Sequence, residues 1–402
     1  MKKIITRVGT SLFENYLKEH DNSNFKDPYV YFKENKIRAD DLDQREKIRR
    51  NNIEKVLNEK YFKNNINASA EIKSLIKLAE ELEEEFEIYL LYSDTALSRL
   101  AAEILERAIF YYDELKKCKV FIKKVEGLQS WNRGEFEKGM RNLINTIGRI
   151  AEEYWENIII NITGGYKAAI PCLTILAQVN RYPIYYIFEE TDTLITISYI
   201  PISINYSIFE KHEKFFRKLE REGTSELSQG LSDEEMRDIS SLLDLADNLY
   251  SLNPLGIILW EKYKKIFEMV YVSVLVQEYI NQDNKYKTIF EKSAIALKKR
   301  YSSNPAHPDL NHIIKGFKER EGFKCFKHTE ENLQVRILYK VEEWTTRYNT
   351  TEFDIYIGNI KIGSDVHNVE SEYVKSFEME LGKIKNLDDY KIYKIRKEVQ
   401  ND

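Results

Sequence analysis

The chain has 402 residues, enough for two or three domains, and its 43% hydrophobic and 32% charged content marks it as globular rather than disordered or fibrous. A net charge of −5 excludes a chain-wide nucleic-acid footprint, and no apolar run reaches the ~18 residues of a membrane span. Three scattered cysteines, Cys118, Cys172 and Cys325, offer neither metal spacing nor a disulfide framework, which fits a reducing cytoplasm.

Residues 1–5 are basic and then apolar, too short for a signal peptide, and open a strand over 3–8. Gly9-Thr10-Ser11 follows, then a helix over 12–19 and mostly helical, charged sequence over 22–62. Ile72, Leu75, Ile76, Leu78, Ala79, Leu82 and Phe86 form a helical stripe. A strand over 88–92 runs into Ser93-Asp94-Thr95, residues suited to cap the helix that follows to 109. A third strand covers 119–122, a helix 134–155, and an apolar strand 157–162. Thr163-Gly164-Gly165-Tyr166-Lys167 then turns into a helix over 168–178, and strands are predicted at 183–188 and 194–200. Strands alternating with helices predict an α/β domain around a mainly parallel sheet, with ligands beyond the carboxyl ends of its strands. The three loops of glycines and hydroxyls all fall there.

Residues 207–280 read as a helical connector, with a winged-helix-like module as the alternative, ending in a long helix over 255–279 capped by Asn253-Pro254. Its 232–247 stretch is acidic, which argues against sequence-specific DNA binding. The last domain, 281–402, is predicted to be α+β: helices at 287–300 and 310–320, then an antiparallel meander at 323–328, 334–341, and 353–357 with 360–362. Residues 285–347 hold fourteen Lys and Arg against eight Asp and Glu, which points to a polyanionic partner.

Two glycines after an apolar strand let a ligand approach the main chain, and a helix start beside Lys167 favours phosphate. The same turns also serve as ordinary helix caps, so spacing alone leaves both readings open. Val8 to Leu12, Ser93-Asp94-Thr95-Ala96 with Ala102-Glu103, and Asn161 to Lys167 resemble the CARF domains of CRISPR-associated effector proteins, over roughly 1–200. The resemblance implies a Rossmann-like fold over 1–206, a two-fold homodimer, and cyclic tetra-adenylate as allosteric activator, with no other cofactor. It implies that Gly9, Thr10, Ser11, Ser93, Thr95, Thr163, Gly164, Gly165, Tyr166 and Lys167 line the groove. Some CARF domains also cleave their ligand, and hydroxyls beside a Lys leave that open here.

Three readings of the tail compete. Gly322-Phe323-Lys324, the strand Val335-Arg336-Ile337-Leu338-Tyr339-Lys340-Val341 and the segment 354–363 resemble RelE-like toxins, which cut mRNA on the ribosome. That resemblance implies Arg336 and Lys324 as phosphate-positioning catalytic residues, with Lys327 or His328 in place of a second Lys. The family's last loop carries an Arg where this chain reads Gly363-Ser364-Asp365-Val366-His367, so His367 would serve as acid or base and Tyr373 as the terminal Tyr. Arg300 and His307 loosely fit the Arg–His spacing of a helical HEPN ribonuclease. A metal-dependent nuclease needs an Asp and a Glu-x-Lys; Asp354 is present, but no Glu-x-Lys follows residue 285. A non-enzymatic, ligand-gated regulator is the remaining alternative.

Overall fold

The computed structural model describes every residue except 129–132, 152–156, 166, 189–191, 202, 227–230, 313–321, 346–350, 365, 367–373, 376, 379–385 and 398–402. The chain forms two compact units, residues 1–210 with 226–260, and residues 211–225 with 261–402. The stretch read as a separate connector is therefore divided between these units rather than forming a third.

The first unit is mixed α/β. Its elements run β1 (Lys2–Arg7), α1 (Ser11–Glu19), α2 (Ser23–Asn35), α3 (Gln44–Val56), α4 (Glu59–Asn64), α5 (Ala70–Leu82), β2 (Phe86–Ser93), α6 (Ala96–Ile109), β3 (Lys119–Val125), α7 (Arg133–Ala151), β4 (Ile158–Asn161), α8 (Ile170–Asn180), β5 (Ile184–Phe188) and β6 (Thr193–Ile197). The sheet order is β3-β2-β1-β4-β5-β6. All pairings are parallel except β5 with β6, which is antiparallel. This is the 3-2-1-4-5-6 order of doubly wound nucleotide-binding sheets, with the edge strand reversed. The four residues of β4 are all buried, as expected of a central strand covered on both faces. α6 lays Leu97, Leu100, Ala101, Ile104, Leu105 and Ala108 into the core at helical spacing.

Next come α9 (Ser207–Lys211), α10 (Glu213–Glu222), a two-residue strand β7 (Ser225–Glu226), α11 (Asp233–Ile239), the hairpin β8 (Leu243–Ala246) and β9 (Leu249–Leu252), and α12 (Pro254–Ile266). The long helix expected over 255–279 does not exist. It ends at Ile266, and β10 (Phe267–Val272) follows at once, then α13 (Val274–Ile280). Phe267, Val270, Tyr271 and Val272 are aromatic or β-branched, types that fit a pleated surface better than a helix interior.

The second unit continues with α14 (Asn284–Ser303), β11 (Lys324–Glu330), β12 (Leu333–Thr345), β13 (Thr351–Gly363) and β14 (Lys391–Arg396). The antiparallel meander β11-β12-β13 is present. Contrary to the expectation of two helices and a meander alone, it is not the whole sheet. The order is β11-β12-β13-β10-β14, with β10 parallel to β13 and antiparallel to β14. The sheet is thus mixed, and its fourth strand comes from sequence read as connector. A register shift between Leu338 and Tyr339 lets Gly358 be absorbed as a bulge, so β13 is one strand rather than two pieces. Of the predicted helix 310–320, Leu310 and Asn311 lie in a short 3-10 turn and residues 313–320 are outside the described set. Among the described residues no helix is long and apolar enough to cross a membrane, and no group of His, Cys, Asp and Glu is arranged to hold a metal ion.

Candidate functional site

The sheet's strand order reverses between β1 and β4, so the loops after these two strands flank the crevice at their carboxyl ends. The loops meet there at glycines. A Cβ on Gly9 would lie 3.1 Å from the Gly165 nitrogen. Gly165 has φ +87°, and its Cβ would fall 2.7 Å from that of Arg7, so both the turn and the close approach require glycine. A side chain on Gly164 would collide with Glu71.

Glu71, on the first turn of α5, is 1% exposed and holds these loops from beneath. Its carboxylate accepts from the Gly9 amide at 2.8 Å and from the Ser69 hydroxyl at 2.7 Å. The Asn161 amide donates to Ser74 Oγ at 2.7 Å and to Thr6 Oγ1 at 3.3 Å, while its oxygen accepts from the Thr163 amide at 3.1 Å. Sequence reading missed Glu71, Ser69, Ser74 and Thr6. Their only signal was polarity within an otherwise apolar stripe or strand.

The third loop joins through Ser98, whose hydroxyl accepts from the Ser93 amide at 3.0 Å and lies 3.4 Å from the Val8 carbonyl. Together the loops border a cavity of about 600 Å³ lined by Gly9, Thr10, Ser11, Ser93, Thr95, Gly165 and Lys167. Thr163 and Gly164 sit behind this lining, and Tyr166 is outside the described residues. Some groups read as free for a ligand are already engaged. The Gly9 amide is bonded to Glu71, the Thr163 hydroxyl accepts from the Ile187 amide at 3.0 Å, and Thr95 caps α6 by accepting from the Ser98 amide at 3.1 Å. The Thr10 hydroxyl caps nothing.

The cavity also has a wall that sequence reading did not anticipate. Phe32, Lys33 and Lys36 of α2 and its C-cap, with Arg7, Leu97 and Leu128, complete the lining. Arg7, Lys33, Lys36 and Lys167 outnumber the one acid, Glu14. A cationic hollow with apolar patches, on a chain of net charge −5, suits a ligand that pairs phosphates with flat bases.

In the second unit the sheet brings Lys327 and Arg336 together but not Lys324. Lys327, Arg336 and Lys361 are cross-strand partners on one face of the sheet. Lys324 pairs with Tyr339 and projects to the other face, because successive strand residues alternate. Arg336 is 1% exposed; its Nη1 donates to the Val335 carbonyl at 3.0 Å, and its Nε is buried without a hydrogen-bond partner. As placed, it is part of the interior, not a surface that RNA reaches. His367 and Tyr373 lie outside the described residues.

The alternatives fare as follows. Arg300 Nη1 donates to Asp309 Oδ2 at 2.6 Å, and His307 Nδ1 accepts from the Asp309 amide at 3.2 Å; the five-stranded sheet beside them does not belong in an all-helical HEPN domain. Asp354 Oδ1 accepts from Arg217 Nη1 at 3.2 Å, so it neutralises a buried cation rather than joining an acid cluster. Burial pushes the Asp354 carboxyl up, against the pull of Arg217.

Residues 66–200 match the sequence model of a family described as CRISPR-associated protein (Cas_APE2256). The match covers the second and third loops and stops short of Gly9 and α2. No curated protein matches the chain. Among solved structures, the chain is similar to Can2 from Sulfobacillus thermosulfidooxidans in complex with cyclic tetra-adenylate, at 10% identity over 78% of this chain and 84% of that one. The TM-score is 0.22, too low to assign a shared fold.

Proposed function

We propose that the first unit is a CARF-type sensor of cyclic tetra-adenylate. In this reading the chain is a cytoplasmic, homodimeric type III CRISPR ancillary effector. Its output is RelE-like, ribosome-dependent cleavage of mRNA. One observation carries the sensor reading: the cavity where the β1, β2 and β4 loops converge, cationic and lined with hydroxyls, at the switch point of the sheet. The match of residues 66–200 to a CRISPR-associated family supports it.

A two-fold partner is supported by an uncovered apolar surface on α8 and the β6 edge. Ile175, Ile195, Ile197, Tyr199 and Ile200 are 38–61% exposed, and Gln178 bonds α8 to the backbone of Ser198 and Ile200. For the output, support comes from α14, whose Ile289, Phe290 and Leu297 share a core with Phe326, Val335 and Ile337 of the meander. Lys327 and Lys361, half-buried on either side of Arg336, are the cations that RNA phosphates would meet.

Calorimetric titration with cyclic tetra-adenylate tests the sensor. Lys167→Ala removes an exposed cation at the cavity and is expected to weaken binding about tenfold without unfolding the chain, the loss of one charge-assisted contact. Unchanged affinity would place the ligand elsewhere. Incubation with ribosomes and mRNA, with and without the ring, tests the output. Cutting that needs both supports the RelE reading; cutting of free RNA, or of DNA with Mn²⁺, replaces it with another nuclease.

A further inference from the structure

The cavity of the first unit holds an acid among its cations, and an anion-binding role does not by itself explain it. Glu14 on α1 faces Lys33 on α2. Lys33 Nζ lies 2.8 Å from Glu14 Oε1, and the Tyr29 hydroxyl donates to the same oxygen at 2.9 Å. Both Glu14 and Lys33 line the cavity. The Lys33 bond, and after it the Tyr29 bond, holds the Glu14 carboxyl below the usual carboxylate range, so it is charged at neutral pH.

The Lys33 and Glu14 side chains are 59% and 48% exposed. Exposed ion pairs hold their partners weakly, because water competes for both charges. A polyanion entering here meets a carboxylate that repels it and a lysine already engaged. Tyr29 is 5% exposed and fixed in the core, so Glu14 keeps one bond if Lys33 leaves. α1 and α2 precede the residues covered by the family match, and that match assigns no role to this pair.

We propose that Glu14 and Lys33 form an exchange latch in which a ligand phosphate takes Lys33 from Glu14 while Glu14 stays bonded to Tyr29. Until a phosphate takes it, Lys33 is neutralised by Glu14. Glu14 thereby becomes a specificity-determining residue, set against anions with too little charge to compete for Lys33. The latch rests on the reading of this cavity as a cyclic oligoadenylate site.

A double-mutant cycle on the full chain tests it, with cyclic tetra-adenylate as the calorimetric probe. Glu14→Gln keeps an acceptor for Tyr29 but removes the repulsion and releases Lys33, so affinity is expected to rise roughly fivefold. Lys33→Met is expected to cost more affinity in the Glu14→Gln background than in the parent, because only there is Lys33 free of its carboxylate partner beforehand. If Glu14→Gln leaves affinity unchanged or lowers it, or if Lys33→Met costs the same in both backgrounds, the latch is wrong and the site reading stands. If the parent binds no ring at all, the site reading fails and the latch with it.

Discussion

A buried guanidinium without a carboxylate is costly, since its N–H groups have left water for partial compensation. Among the described residues Arg336 is such a group: its guanidinium bonds the neighbouring Val335 carbonyl and no carboxylate, and its Nε has no partner. With Lys327 and Lys361 directly opposite on the flanking strands, like charges add to the cost. Arg336→Met, which keeps an unbranched apolar stem and removes the charge, is therefore expected to leave thermal stability unchanged or raised by a few degrees. A fall of several degrees in Tm would mean that the guanidinium holds the sheet together. Glu71 is the opposite case, a buried charge with its partners in place. Its carboxylate takes the Gly9 amide and the Ser69 hydroxyl, and the glycine at 164 is the space its side chain occupies. The sequence displayed the glycines of the β1 and β4 loops; the acid that requires them sits sixty residues away from one and ninety from the other.

The element that sequence reading lost is β10, and its start and stop were present as local signals. Ser273 sits where an unbroken helix was expected, yet its hydroxyl accepts from the Val276 amide at 3.3 Å as the N-cap of α13 and donates to the Gly358 carbonyl at 2.7 Å. Ser273→Ala removes a cap and leaves a buried carbonyl unpaired, which together are expected to cost about 2–3 kcal/mol in denaturant unfolding of the second unit. A loss under about 0.5 kcal/mol would make the hydroxyl incidental. The first sheet was legible because β2 and β4 are largely apolar, β1 carries Ile4-Ile5, and all three are closed by glycine or hydroxyl turns and followed by helices. β10 was not, because Ile266 to Val272 is an apolar run broken only by Glu268, and a short run of that kind has no clear period to separate strand from helix. β14 was missed for a related reason: Lys391-Ile392-Tyr393-Lys394-Ile395-Arg396 reads as charged tail until β10 supplies the strand it pairs with. Pairing partners far apart in sequence made the second sheet, and a local reading could recover only the meander joined by short turns. The cavity was half legible on the same grounds. Its strand-end loops announce themselves, whereas Phe32, Lys33 and Lys36 belong to a helix whose charges looked like an ordinary solvated face.

Two units with separate cores provide a way to ask whether sensing reaches the output. A ligand that binds only the folded first unit stabilises it by mass action, about 2.7 kcal/mol at a hundred times its Kd. For a unit of this size that corresponds to a rise in Tm of roughly 5–10 °C. The second unit gains nothing from this unless its own equilibrium is linked to the occupied cavity, because a ligand shifts only those states between which it discriminates. Scanning calorimetry of the full chain, with Ser273→Ala used to mark the second unit's transition, separates the two responses. If the first unit controls an output in the second, cyclic tetra-adenylate is expected to displace both transitions. Movement of the first alone would leave a sensor uncoupled from its neighbour, and movement of neither would remove the ring from the cavity. Because Lys33, Lys36 and Lys167 are exposed, the displacement should also shrink as salt rises from about 0.05 to about 0.5 M, where screening reaches only a few ångströms. An apolar ligand seated on Phe32, Leu97 and Leu128 would show the reverse insensitivity, so the salt series distinguishes phosphate recognition from simple burial.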